Sequence, residues 1–158
     1  AVDVPTTVVK GNLDGAREPV LAEFDADISV TPGHGTTIGD VGFAHGHTWP
    51  APAVVESAVF CLAHEHPVVR LEDDVGGRRA ERAWLRGSLA SAVFEDEYDE
   101  SLAIDGDLVV FPAFNDRSGG TWVNVPGQDF LAPFLPDGLA DAEAFLLDGT
   151  RLGDYRSV

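Results

Sequence analysis

Methionine is absent from this chain of 158 residues, and cysteine occurs once, as Cys61. A single cysteine excludes an internal disulfide, and its apolar neighbours predict a small buried residue. The chain also lacks a signal peptide and any apolar run long enough to cross a membrane, which predicts a cytoplasmic protein without a membrane partner. The missing methionine indicates a processed chain or a piece of a longer one.

Lysine is as scarce as cysteine, because Lys10 is the only one and the other bases are arginines. Ten basic residues stand against 27 acidic ones, dispersed along the chain, for a formal net charge of −17. This composition is typical of proteins from salt-loving archaea, where salt shortens the Debye length to about 3 Å at 1 M. An ordinary acidic protein kept soluble by its charge is the alternative. Either interpretation disfavours non-specific attraction to nucleic-acid phosphates in ordinary buffer.

A hydrophobic content of 44% supports a core in a single domain over residues 1–158. Short apolar runs bounded by Gly, Pro and Asp predict an α/β protein with an excess of strand. The predicted strands are 6–10, 27–31, 36–45, 57–63, 68–72, 81–86, 108–113, 122–125 and 143–148. Two hairpins are predicted, one joining 27–31 to 36–45 and one joining 68–72 to 81–86. The predicted helices are 18–24, 52–56 and 89–98.

Four of the five histidines form two His-x-His pairs, His45-Gly46-His47 and His64-Glu65-His66. Each pair follows an apolar, strand-like run, which predicts that the imidazoles lie at strand ends. Alternate residues of an extended chain face the same way, so each pair can reach two metal ions while Glu65 points away. Neutral imidazoles are common ligands of first-row metals. A lone pair of this kind would indicate surface histidines, but two pairs in this setting favour a metal site.

Other polar residues leave their role open. Arg117, in the Asn115–Gly120 segment, is suited to bidentate contact with a phosphate, and Asn115 is a second candidate for substrate binding. A plain surface turn explains the same segment equally well. His34 lies in a Gly-rich turn and is predicted to be a solvent-facing loop residue. The basic cluster of Arg78, Arg79 and Arg82 is explained by ion pairing on an exposed hairpin.

Several motifs, in order, resemble the second half of the calcineurin-like metallophosphoesterase signature. They are Gly11-Asn12-Leu13-Asp14, His45-Gly46-His47 and Ala63-His64-Glu65-His66. Their flanks are similar to those of the archaeal ICC-like phosphoesterases, and include Pro50, Pro67, Phe111-Pro112-Ala113-Phe114-Asn115, Gly119-Gly120 and Val123-Asn124. The resemblance covers about residues 6–125. It implies a four-layer α/β/β/α sandwich, here without its N-terminal strands.

The resemblance also implies an activity, namely metal-dependent hydrolysis of phosphoesters, of phosphodiesterase type. Two divalent ions (Mn, Fe or Zn) and a bridging hydroxide would act on a substrate such as a nucleotide or nucleic acid. The implied metal ligands are Asn12, His45, His64 and His66. Asp14 would orient the residue at position 13, and His47 would line the phosphate pocket, both as part of the catalytic machinery.

Two departures from the family pattern bear on this activity. Leu13 stands where the family has a His, and losing a general acid costs about 10²–10⁴ in rate. No Asp-x-His or Gly-Asp motif precedes Asn12, so the bridging carboxylates are missing and four neutral ligands carry too little charge for a tight dinuclear site. We therefore expect the C-terminal part of a longer protein, whose exposed sheet edge is covered by a missing segment or by oligomerisation. The alternative function is a catalytically degenerate metal- or phosphate-binding module in a nucleic-acid-processing assembly.

Overall fold

The computed structural model describes residues 4–14 and 27–158, which form a mixed α/β structure dominated by strands. Its strands are β1 (Thr6–Val9), β2 (Ile28–Thr31), β3 (Thr36–Ile38), β4 (Val41–Ala44), β5 (Val59–Leu62), β6 (Val68–Glu72), β7 (Arg78–Leu89), β8 (Asp107–Val110), β9 (Leu139–Leu146) and β10 (Arg151–Asp154). Its helices are α1 (Pro52–Val55) and α2 (Ser91–Tyr98). Neither helix of this described part has the length and apolar character that crossing a membrane requires.

The strands form one large sheet and one small one. The large sheet has eight strands in the order β10-β9-β7-β8-β5-β4-β3, with β6 paired to β7 outside this path. The neighbours β4, β5 and β8 are parallel to one another, and the remaining pairs of the large sheet are antiparallel. The small sheet consists of β1 and β2, which run parallel. Parallel strands place their carboxyl ends at one edge, which is where α/β folds carry their sites.

Side chains alternate in burial along the central strands, because successive residues of a strand face opposite sides of the sheet. On β5, Phe60 and Leu62 are fully buried, while Val59 and Cys61 are partly exposed. The buried face packs against α1 and α2 and against Phe134, whose ring lies 6.3 Å from that of Phe60. Cys61 is thus half-buried on the opposite face rather than in the core, and burial raises the pKa of its thiol.

Most predicted elements are confirmed, but the first predicted hairpin is wrong. β2 pairs in parallel with β1, with Ile28 opposite Thr6, instead of turning back onto β3. The predicted strand 36–45 is divided into β3 and β4, which form their own hairpin. Gly39 lies in the turn between them with a φ of 59°, a conformation that glycine adopts without steric cost. The hairpin of β6 and β7 is confirmed.

The C-terminal part differs more from the prediction. The predicted strand 122–125 is a loop with one isolated bridge at Trp122. There the Asn124 side chain accepts a hydrogen bond from the Arg70 N–H and donates one to the Arg70 carbonyl, which replaces backbone pairing with β6. The predicted strand 143–148 begins earlier, at Leu139, and β10 was not predicted. The predicted helix 18–24 lies outside the described residues.

Candidate metal centre

Two parallel strands bring the histidine pairs together. β4 and β5 are neighbours in register, with Ala44 opposite Leu62, and His45 and His64 follow their carboxyl ends. The imidazole centroids of His45 and His64 lie 4.7 Å apart. The His47 ring lies 5.3 Å from that of His45 and 6.2 Å from that of His64. These three rings form what we call the imidazole cluster, at the strand ends that the sequence predicts.

The backbone around the cluster is held in uncommon conformations. Gly46 has a φ of 112°, and a Cβ added there would lie 2.6 Å from a methyl carbon of Leu62. Glycine is therefore required between His45 and His47. His64 and His66 adopt left-handed conformations with φ of 57° and 47°, which are costly for residues with side chains. Such strain concentrates at functional sites, where the surrounding structure holds it in place.

Two further glycines let backbone approach the rings. A Cβ on Gly11, which follows β1, would lie 3.1 Å from His45 Cε1, and a Cβ on Gly33, after β2, would lie 2.8 Å from His47 Cε1. The small β1–β2 sheet thus forms one wall of the imidazole cluster by close contact. Side chains at either glycine would displace a ring, so both positions serve the site.

Two rings of the cluster, those of His45 and His64, have lowered pKa values, and two of its ring nitrogens have no partner among the described residues. Burial, with the neighbouring His64 and His47, lowers the pKa of His45 from 6.5 to about 4. Burial likewise lowers the pKa of His64. Within the described residues, His45 Nε2 and His47 Nδ1 are buried and have no hydrogen-bond partner. Buried polar atoms are almost always paired, so these two nitrogens are the candidate ligand atoms of the cluster.

His66 lies outside the imidazole cluster. Its Nδ1 is 3.2 Å from the Gly119 carbonyl oxygen, at hydrogen-bond distance, in the loop that the sequence associates with substrate. It nevertheless acts electrostatically on His45 and His64, so it belongs to the same neighbourhood. The second histidine pair is therefore divided between the cluster and the loop.

Glu65, between these two histidines, is fully buried. Its carboxylate accepts hydrogen bonds from the Thr121 hydroxyl and from the backbone N–H groups of Leu131 and Ala132. The prediction that this side chain points away from the metal site agrees with these contacts.

The Gly11–Asp14 turn lies beside His45. The Asp14 carboxylate accepts a hydrogen bond of 3.0 Å from the Gly11 N–H, which closes the turn, and its charge opposes the fall in the pKa of His45. Asn12 lies next to the glycine that contacts the His45 ring, but Asn12 itself is exposed. Leu13 is 85% exposed. Its aliphatic side chain cannot donate a proton. Asp14 thus stabilises the turn that carries the candidate ligand Asn12.

The Asn115 loop is an exposed turn stabilised by its own contacts. Asn115 Oδ1 accepts hydrogen bonds from the backbone N–H groups of Arg117 and Ser118. Arg117 is exposed at the tip, and Gly119 contacts His66. Asn115 therefore shapes the turn, and Arg117 is the residue of this loop that remains available to a phosphate. The basic residues Arg78 and Arg82 form ion pairs with Glu72 and Asp116, as the sequence predicts.

The donor types of the imidazole cluster fit a metal ion, but their present arrangement does not converge on one. Within residues 4–14 and 27–158, no group of three or more His, Cys, Asp or Glu side chains is arranged to hold a metal. Distances of 4.7–6.2 Å between ring centroids show that the rings pack together. Metal binding requires in addition that the nitrogen lone pairs point at one position. Neutral imidazoles with unpaired nitrogens suit Zn, Fe or Mn, provided that the rings turn. The cluster contributes no carboxylate.

Sequence reasoning did not identify Gly33 or Thr121 as parts of the site. Gly33 packs on His47, and Thr121 donates to the carboxylate between the other two histidines. A glycine before His34 and a threonine in a Gly-rich segment are unremarkable in sequence. Their roles depend on contacts between segments that are far apart along the chain.

Comparison of the chain with family models, with curated proteins and with solved structures finds no match in any of the three. The functional assignment therefore depends on the site residues themselves.

Proposed function

We propose that this protein is a metal-dependent phosphoester hydrolase of phosphodiesterase type. The observation that carries the proposal is the close packing of three histidine rings at the ends of two parallel strands, where two buried ring nitrogens have no partner among the described residues. His45 and His64 would bind a divalent ion (Zn, Mn or Fe) together with Asn12, whose turn lies against His45. Neutral nitrogen donors of this kind suit these metals.

The fold proposed for this function is the metallophosphoesterase α/β/β/α sandwich. Parallel β4, β5 and β8 support it, since they place polar loops at one sheet edge. The order of the motifs along the chain supports it as well. His66, adjacent to the Gly119 carbonyl, would bind a second ion. A dinuclear site of this kind also requires carboxylate ligands beyond the four neutral ones named above.

A divalent ion bound at the cluster would polarise a phosphoryl oxygen and lower the pKa of a coordinated water. The chain's own residues would do the rest. Low pKa values keep the His45 and His64 rings neutral, so that their lone pairs stay available at pH 7. His47 would line the phosphate pocket, and Arg117 would contact the phosphoryl oxygens from the exposed loop. Leu13 supplies no proton, so we expect substrates whose leaving groups depart without one.

The second candidate function is a degenerate module that binds a metal ion or a phosphate without turnover. The observation that favours it is the exposed Leu13 at the position of a proton donor, together with the lack of a carboxylate in the imidazole cluster. Such a module would serve a larger assembly that processes nucleic acid.

One experiment tests both candidates. Wild type, His64→Ala and the matched control His34→Ala, whose histidine is exposed, are assayed for Mn²⁺ binding and for hydrolysis of bis-p-nitrophenyl phosphate in molar salt. The hydrolase predicts binding and turnover in wild type and the control, and loss of both in His64→Ala. Binding without turnover supports the module. No Mn²⁺ binding and no turnover in the wild type would refute the hydrolase and the metal-binding form of the module.

A further inference from the structure

The Glu65 side chain is a buried acid in a protein whose other acids are largely at the surface. Among the described residues, the buried polar and charged side chains are Ser57, Glu65 and Thr121, and Glu65 has no solvent exposure. Burying a carboxylate is costly unless several donors satisfy it. The burial of this carboxylate between two candidate metal ligands therefore needs a physical explanation.

Three donors satisfy the Glu65 carboxylate, and they come from two separate segments. Oε2 accepts from the Thr121 hydroxyl at 2.8 Å and from the Leu131 N–H at 3.1 Å, and Oε1 accepts from the Ala132 N–H at 2.5 Å. An ionised carboxylate only accepts hydrogen bonds, which matches a set made entirely of donors. The side chain thus joins the histidine loop to both segments.

The backbone of the same residue is fixed as well. The Glu65 carbonyl accepts a hydrogen bond from the Thr121 N–H at 2.9 Å, and the Glu65 N–H donates to the Ala63 carbonyl at 2.6 Å. On either side, His64 and His66 hold left-handed conformations. Gly120 lies against the His66 carbonyl so closely that an added Cβ would be 2.1 Å from that oxygen. The backbone and the side chain of Glu65 therefore both hold the loop, between the two histidines whose backbone conformations are strained.

We infer that Glu65 is a positioning residue: through its hydrogen bonds to Thr121, Leu131 and Ala132 it fixes the left-handed turn that carries the candidate ligands His64 and His66. The inference rests on the proposed function, because it assigns Glu65 a role through those two ligands. Residues that hold metal ligands in place commonly contribute 10- to 100-fold to metal affinity.

The test uses Glu65→Gln with Glu95→Gln as the matched control. In Glu65→Gln, an amide NH₂ replaces one oxygen, so either Leu131 or Ala132 loses its acceptor. Glu95 also accepts a backbone N–H bond, from Leu102, but on helix α2 away from the histidine loop. We expect Co²⁺ to bind Glu65→Gln about 10- to 100-fold more weakly, with an altered visible spectrum. The control should keep the affinity and spectrum of the wild type.

A role in stability alone would lower the melting temperature of Glu65→Gln but leave Co²⁺ affinity and spectrum unchanged in the folded protein, and that result would overturn the inference. If Glu65→Gln does not fold, Thr121→Val decides instead, with a loss of about 3- to 10-fold in Co²⁺ affinity expected from one missing hydrogen bond. Unchanged affinity in a folded Thr121→Val would also overturn it.

Failure of the proposed function gives a different result. If the wild type binds no Co²⁺, the hydrolase proposal fails, and NMR of the metal-free protein still tests the positioning role. Displaced ring resonances of His64 and His66 in Glu65→Gln, with those of Glu95→Gln unchanged, would support it. Unmoved resonances would overturn it.

Discussion

The two histidine loops are held by different means. The loop with His45 and His47 is shaped by steric contact, since Gly11, Gly33 and Gly46 each allow an approach that a side chain would block. Two of its ring nitrogens, His45 Nε2 and His47 Nδ1, have no hydrogen-bond partner among the described residues. The loop with His64 and His66 is instead held by hydrogen bonds through the buried carboxylate between them.

The comparison shows that the backbone of a histidine loop can be held in place by contacts other than those of its imidazole nitrogens. Packing around glycines shapes the first loop without using the donor and acceptor atoms of its imidazoles. The second loop is anchored by a residue that is not itself a candidate ligand. The first loop therefore keeps two buried ring nitrogens, His45 Nε2 and His47 Nδ1, without a partner among the described residues, and the proposed function assigns them to a ligand.

The largest effect is expected from Gly46→Ala, which breaks the sterically held loop. The new methyl group would meet Leu62, and alanine is strained at a φ of 112°. We expect a loss of about 2–4 kcal/mol in the free energy of unfolding, measured by urea denaturation. The matched control is Gly39→Ala, where φ is 59° and no atom lies within 4 Å of the added Cβ. Equal losses in the two variants would refute the steric account.

A smaller effect is expected from Thr121→Val, which weakens the hydrogen-bonded loop. The change removes one donor from the buried carboxylate while keeping the shape of the side chain. We expect a loss of about 1 kcal/mol in the free energy of unfolding. Ser101→Ala is the control, because it removes a hydroxyl donor to Glu95 at an exposed site, and it should have little effect. A Thr121→Val variant as stable as wild type would show that the hydrogen bond from the Thr121 hydroxyl to Glu65 contributes nothing to stability.

The pH dependence of stability tests the half-buried His45 ring of the first loop. His45 has a pKa of about 4 in the folded metal-free protein and 6.5 in an unfolded chain. Between those values the unfolded state binds more protons at this residue, so the contribution of His45 to the free energy of unfolding is largest above pH 6.5 and is lost as the pH drops toward 4. His45→Gln should flatten this fall in thermal unfolding, and NMR should show the His45 ring titrating near pH 4. A ring midpoint near 6.5 would contradict the prediction.

The smallest effect on stability is expected from Gly33→Ala. The added methyl group would lie 2.8 Å from the far end of the His47 ring, which can move away, and at an ordinary contact distance of 3.6 Å from Thr48 Cγ2. We expect a change of less than about 1 kcal/mol in the free energy of unfolding, together with a clear displacement of the His47 ring resonances. Unchanged His47 resonances would show that Gly33 does not line the imidazole cluster.

The position of the site was predictable from sequence because it depends on local pattern. Alternating burial marks β4 and β5, and the histidine pairs directly follow those strands. The parallel pairing of β1 with β2 was not predictable in the same way, because the turn residues after Thr31 favour a hairpin that the structure does not form. Long-range pairing overrode the local signal there.

The hydrogen bonds of Glu65 that hold the second loop could not be predicted from the sequence either. Glu65 is bonded to Thr121 and Ala132, which are 56 and 67 positions away along the chain. An alternating pattern predicts only that this side chain faces away from its neighbours. It does not predict which groups donate hydrogen bonds to the carboxylate. Likewise β9 and β10 contain acids, alanines and a glycine of low strand propensity, and their pairing with each other and with β7 defines them.

The most direct test of the central claim is an NMR titration of the metal-free protein with Zn²⁺ at pH 7, following the imidazole resonances. If the metal centre lies at the strand ends, the His45 and His64 signals will change together as a first equivalent of Zn²⁺ is added. The signals of exposed His34 should stay in place. Zn²⁺ that leaves His45 and His64 unchanged, or that perturbs His34 alone, would contradict the assignment of a metal centre at the strand ends.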